Sequence, residues 1–265
     1  MTLLQIVVLA IIQGLTEFLP VSSSAHLILG SKAFGWPDQG LVFDVATHLG
    51  TLLAVFVYFR RELIEMLQAC VRPVRSEQGR QHRSMAAFLA LASVPALLVG
   101  LLVHDQVEHH LRDMRIIAWA TLGFGLLLWL AHVVGAKTRD LQGMTLKSAL
   151  FIGLAQALAL IPGTSRSGIT ITAGRLLGFT PDAAARFSFL LAIPIIAAAG
   201  GYGALRVATG DTDIQWGQFL LALGLAAVAG WVCIAAFLAL LERVGLMPFV
   251  IYRLLLGVGL LWVLH

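Results

Sequence analysis

Between positions 13 and 26 the chain places a glutamine, a carboxylate, three consecutive serines and an imidazole in an otherwise apolar stretch: Gln13, Glu17, Ser22, Ser23, Ser24 and His26. Ionisable groups in such surroundings are costly, and inside a membrane their default reading is a functional site. Gln13 and Glu17 are four apart, so on a helix they share one face. Their oxygens can hold a hard cation such as Mg²⁺ or Ca²⁺, or Glu17 can work as a general acid or base. Ser23 and His26 lie three apart, on one side of a helix. A serine hydroxyl attacks only once a base takes its proton. His26 can be that base, or can itself attack phosphorus. Ser22 and Ser24 are hydroxyls for a bound anion or caps for a helix start.

A second group follows Pro162-Gly163: Thr164, Ser165, Arg166, Ser167 and Thr170. Arginine grips a phosphate through two parallel N–H bonds, which lysine cannot do. Asp44 and His48, again four apart, can support the site from behind.

Two proline breaks position these groups. Pro20 cannot continue the helix that Leu3–Leu19 begins, because it lacks an N–H and its ring clashes with the turn before it. Pro162 ends 149–161 in the same way. Each break starts a fresh helix, whose free N–H groups attract an anion. Broken hydrophobic segments in corresponding halves point to a central binding site. The pattern predicts two re-entrant hairpins (3–19 with 25–34, and 149–161 with 169–179). It also predicts six spans, at 41–59, 84–103, 116–134, 184–205, 219–241 and 248–264. Residues 1–135 and 145–265 then form two inverted-topology repeats of a single membrane domain.

Composition fits an all-α integral membrane protein. The 265 residues are 59% hydrophobic and 12% charged, against about 25% charged in soluble chains, and the mean hydropathy is +0.89. The net charge of +4 is not a nucleic-acid signal. Arg60, Arg61, Arg72, Arg75, Arg80 and Arg83 concentrate in residues 60–83, expected to be a polar loop on the cytoplasmic side. Lys137, Arg139 and Lys147 mark a second inner loop. Asp105, Glu108 and Asp113 against Arg112, and later Asp211 and Asp213, mark outer ones, and the turn 35–38 ends at Asp38. Cys70 and Cys233 are isolated, with no metal-ligand spacing.

The sequence resembles the undecaprenyl-diphosphate phosphatase family, the membrane family linked with bacitracin resistance. The motifs that carry the resemblance are Gln13-Gly-Leu-Thr-Glu17, Pro20-Val-Ser-Ser23 followed by His26, His48-Leu-Gly-Thr51, and Pro162-Gly-Thr-Ser-Arg-Ser-Gly-Ile-Thr170. The resemblance implies removal of the terminal phosphate from undecaprenyl diphosphate and a divalent-cation requirement. It also implies a homodimer in the bacterial cytoplasmic membrane, with the site open to the outer face. Glutamine stands at position 13 where some relatives carry glutamate. The partners expected are a polyprenyl diphosphate and membrane lipids. The alternative is a polyprenyl-phosphate transporter or flippase on the same inverted repeat, since broken helices are also a transporter architecture.

Overall fold

The computed structural model describes residues 1–37, 39–110, 113–209 and 214–264, the side chains of 104–110 excepted. Asp38, Arg112, Asp211, Asp213 and the side chains of Asp105 and Glu108 therefore lie outside the described residues. Eleven α-helices occupy the described chain: α1 Leu3–Phe18, α2 Ser23–Ala33, α3 Gly40–Tyr58, α4 Arg60–Val71, α5 Glu77–His110, α6 Met114–Val134, α7 Leu146–Gln156, α8 Arg166–Leu176, α9 Pro181–Thr209, α10 Trp216–Val244 and α11 Met247–Val263. Short 3₁₀ turns cover Leu141–Gly143 and Ala157–Leu160.

Five of these are long and apolar enough to cross a membrane: α3, the Glu77–Val103 part of α5, α6, α9 and α10. The expected sixth span is α11, an apolar helix of 17 residues. The arms flanking the breaks are short, with 16 residues in α1 and 11 in each of α2, α7 and α8.

Residues 60–83 differ from expectation. They are not one polar loop: α4 fills their first half, and α5 already begins at Glu77. Met66 and Ala69 are buried, and α4 packs on α5. The density of arginines hid this amphipathic period. Arg83 closes the link by donating from Nε to the Ala69 carbonyl and from Nη2 to the Arg72 carbonyl, each at 2.7 Å.

α10 packs against α1 and α3, and α5 packs against α7 and α9. Glycine makes both arm contacts close. A Cβ on Gly14 would lie 2.6 Å from the Ala229 Cβ on α10, and one on Gly153 would lie 2.1 Å from the Ala92 carbonyl oxygen on α5. The main core runs through Phe18, Phe187, Phe189 and Phe237, with Phe18 edge-on to Phe189. α11 packs on α6, and α6 also touches α8. That arrangement carries α11 to the breaks.

Candidate functional site

The two breaks are bonded to each other. Leu19, just past α1, leaves its carbonyl without a helical partner, as helix ends do. Ser167 Oγ donates to it at 2.7 Å, and Ser165 Oγ lies 3.5 Å away. Residues 146 to 148 positions apart in sequence are thus joined.

Both breaks share an uncommon backbone. Ser22 (φ 73°) and Ser165 (φ 70°) are the non-glycine residues with positive φ among those described, and each stands at the N-cap of the helix after its break. L-residues adopt such conformations at a cost, and they cluster at functional sites. The two turns are held differently. Ser165 Oγ accepts from the Gly168 N–H at 3.1 Å. Ser22 has no such side-chain cap, and its Oγ meets Ser24 Oγ at 3.2 Å instead. The expected capping of α2 by its serines is therefore not made by Ser22.

Glu17 is the hub. Its Oε2 accepts from Ser23 Oγ at 2.7 Å and from Gln13 Nε2 at 3.1 Å. Its Oε1 accepts from Arg166 Nη2 at 3.2 Å. The Arg166 and Glu17 side chains are 10% and 8% exposed, so the pair is shielded and its attraction is strong. Arg166 Nη1 donates to the Ser188 carbonyl at 3.0 Å, which fixes the guanidinium plane. Gln13 Oε1, Thr164 Oγ1 and Arg166 Nε are buried with no protein partner. They are one acceptor, one hydroxyl and one cationic donor able to meet a ligand.

His26 sits next to this hub but does not bond to Ser23. Its Nδ1 lies 2.7 Å from the Ser22 carbonyl and its Nε2 lies 2.5 Å from the Tyr252 hydroxyl. A carbonyl only accepts, so Nδ1 carries the proton, and in the neutral ring Nε2 accepts from Tyr252. Of the two possible bases in the sequence, Glu17 is the one in contact with the Ser23 hydroxyl, and His26 is not.

The other hydroxyls of the second break are engaged internally. Thr170 Oγ1 donates to the Arg166 carbonyl at 2.8 Å and meets Ser188 Oγ at 2.7 Å. Asp44 Oδ1 accepts from Gln39 Nε2 at 3.1 Å, and His48 Nδ1 lies 2.7 Å from the Asp44 carbonyl.

Arg253 was not among the residues expected. It is fully buried on α11 and donates to three carbonyls: Gly163 at 2.9 Å, Pro20 at 3.2 Å and Thr121 at 3.3 Å. One guanidinium thus grips a carbonyl in each break. The signal was present in the sequence, as an arginine in the middle of the last apolar run. Tyr252 beside it stacks on His26, with ring centroids 5.6 Å apart.

This arrangement holds a hydroxyl on a carboxylate, with a guanidinium on that carboxylate's other oxygen. Such a set suits attack on a phosphate whose charge needs stabilising. Comparison with known proteins points the same way. The chain is 54% identical, over an alignment 271 positions long, to the undecaprenyl-diphosphatase of Colwellia psychrerythraea, covering 99% of both chains. It is 53% identical over 261 residues to that of Hahella chejuensis and 51% identical over 261 residues to undecaprenyl-diphosphatase 1 of Pseudoalteromonas translucida, covering 98% of each chain in both cases. Residues 6–259 match the family model described as bacitracin resistance protein BacA. With the Gln13–Glu17 and Pro20–Ser23 motifs joined to the Pro162–Thr170 motif and the match running nearly end to end, the chain belongs to the bacitracin resistance protein BacA family.

Proposed function

We propose that this chain hydrolyses the terminal phosphate of undecaprenyl diphosphate, giving undecaprenyl phosphate, the lipid carrier of cell-wall synthesis, and inorganic phosphate. The observation that carries the reading is the 2.7 Å bond from Ser23 Oγ to Glu17 Oε2. Lipid translocation has no use for a hydroxyl resting on a base, so this contact favours hydrolysis over the transporter alternative.

In this reading Ser23 Oγ attacks the terminal phosphorus and Glu17 takes its proton. The bond from that phosphorus to the bridging oxygen breaks. Glu17 passes its proton to the departing lipid phosphate; then, as a carboxylate, it draws a proton from the water that attacks the phosphoserine, and returns that proton to Ser23 Oγ as the bond from phosphorus to Oγ breaks and inorganic phosphate leaves. Arg166 faces the charge on the transferring group through its unpartnered Nε, as phosphoryl transfer requires of a positioned cation. Thr164 and the N-termini of α2 and α8 add donors to the phosphates, while Ser22, Ser24, Ser165, Ser167 and Thr170 shape the turns that present them. Gln13 Oε1, a buried oxygen with no donor, and the Glu17 carboxylate fit a divalent cation that keeps waters, Mg²⁺ or Ca²⁺. Bound there, it would neutralise negative charge on the diphosphate.

The same reading makes the molecule an inverted repeat of 1–135 and 145–265, with six spans and two re-entrant hairpins. Three observations support it: the matched left-handed residues Ser22 and Ser165, the packing of α1 on α10 beside that of α7 on α5, and the packing of α3 on α10 beside that of α9 on α5. It places the protein in the bacterial cytoplasmic membrane, with α4 and its arginines inside and the site open to the outer face.

The test is phosphate release by purified, detergent-solubilised protein given undecaprenyl diphosphate, where no compartments exist. Wild type should release phosphate and Ser23→Ala should not. A wild-type protein that moves the lipid across vesicles but releases no phosphate would overturn the proposal.

A further inference from the structure

Three carbonyl anchors hold the turn that presents Ser23. Leu19 O is held by Ser167 at 2.7 Å, Pro20 O by Arg253 at 3.2 Å, and Ser22 O by His26 Nδ1 at 2.7 Å. The last anchor stands at the left-handed residue itself, immediately before Ser23. At the equivalent turn, Ser165 supplies its own side-chain cap, whereas Ser22 supplies none. At Ser22 the side-chain hold on the turn comes through the carbonyl instead, from His26 Nδ1.

His26 can do it only if its ring is held. Tyr252 holds it in two ways: its hydroxyl meets Nε2 at 2.5 Å, and its ring stacks on the imidazole at 5.6 Å with an interplanar angle of 14°. The tyrosine hydroxyl donating to Nε2 also leaves the proton on Nδ1, the only tautomer that can donate to the Ser22 carbonyl.

We infer that Tyr252 is a positioning residue for the hydrolysis: through His26 it fixes the strained Ser22 peptide and so aims the Ser23 hydroxyl at Glu17. The inference rests on the proposed hydrolytic reading and extends it to α11. Tyr252 and Arg253 are neighbours in sequence: Arg253 holds the Pro20 carbonyl directly, and Tyr252 reaches the Ser22 carbonyl through His26. On this account His26 acts through the backbone rather than on phosphorus.

Tyr252→Phe isolates the hydroxyl, because phenylalanine keeps the ring and its stacking. Loss of one hydrogen bond between neutral groups corresponds to about a fivefold to tenfold effect. The expected result is a fall of about that size in kcat with KM unchanged, since the nucleophile is misaimed and substrate contacts are untouched. The same substitution placed on His26→Ala should cost nothing further, because its route to Ser22 is already gone. A structural role for Tyr252 would instead give a second, additive loss in that background. A Tyr252→Phe protein within twofold of wild type, an effect confined to KM, or an additive double variant would each overturn the inference. If wild type released no phosphate at all, the hydrolytic reading would fall instead.

Discussion

Replacing Arg166 separates two contributions that the structure places on one side chain. Arg166 neutralises Glu17 at 3.2 Å in a shielded setting, and it presents an unpartnered Nε. Removing one member of a buried ion pair leaves an uncompensated charge and costs about 3–5 kcal/mol of stability. Removing a preorganised donor to a developing charge costs about 10²–10³ in rate, or about 2.7–4 kcal/mol. Arg166→Ala incurs both, so a dead protein alone would prove little. Arg166→Met combined with Glu17→Gln removes both charges and keeps the side-chain volumes similar. Its thermal unfolding in detergent should recover most of the stability lost in Arg166→Met, while phosphate release from undecaprenyl diphosphate stays at the level of the single variant or below. Arg166→Lys should keep much of the stability yet lose at least tenfold in kcat, because an ammonium cannot serve Glu17, Ser188 and a phosphate together from one rigid plane. The reasoning fails if purified Arg166→Ala turns over within threefold of wild type, or if the double variant melts as low as Arg166→Met.

Four further outcomes follow from the same geometry. Glu17→Gln should reduce kcat by about 10²-fold or more, the scale of a lost general base, with the fold intact by circular dichroism. A chelator should lower phosphate release and added Mg²⁺ or Ca²⁺ should restore it, with Gln13→Leu raising the cation concentration needed for half-maximal activity. Gly153→Ala should destabilise the protein by about 1–3 kcal/mol in a detergent melt, because its Cβ meets the Ala92 carbonyl, a backbone atom, at 2.1 Å. Exposed Cys70 should react with a maleimide while Cys233, 5% exposed with its thiol against the Leu15 carbonyl at 3.0 Å, should not; labelling by an impermeant reagent in inside-out but not right-side-out vesicles would place α4 in the cytoplasm.

Legibility in the sequence followed the physics of each element. The long spans were readable because apolar runs of that length admit few other structures. The breaks were readable because Pro20 and Pro162 are each followed by small hydroxyl residues that can start a fresh helix; proline alone does not decide it, since α5 and α9 run on through Pro95 and Pro194. Helix α4 was not, because arginines on its solvent-facing side outweigh the few buried positions that define its period. At the site, residue types singled out Glu17, Ser23, His26 and Arg166 as candidates, and spacing along one helix correctly paired Gln13 with Glu17. Spacing misled for Ser23 and His26. Three residues apart on a helix puts two side chains on one side, but the left-handed turn at Ser22 sends the hydroxyl back across the break to Glu17 and the imidazole to its own backbone.

The partnerships that decide the site's chemistry cross large sequence separations: Arg166 to Glu17, Ser167 to Leu19, Arg253 to Pro20 and Gly163. Short-range pattern contains nothing about such pairs, yet it does say which groups must find one. A guanidinium buried in an apolar helix has to spend its donors on carbonyls or carboxylates. The carbonyls left free inside an apolar chain are those beside a helix break. Arg253 in the last apolar run and the unpaired carbonyls at Pro20 and Gly163 are therefore the two halves of one requirement. The same logic separates the two arginines. Arg253 spends Nε, Nη1 and Nη2 on three backbone carbonyls and has no donor group left without a partner. Arg166 keeps Nε unpartnered, which supports its part in the proposed reaction.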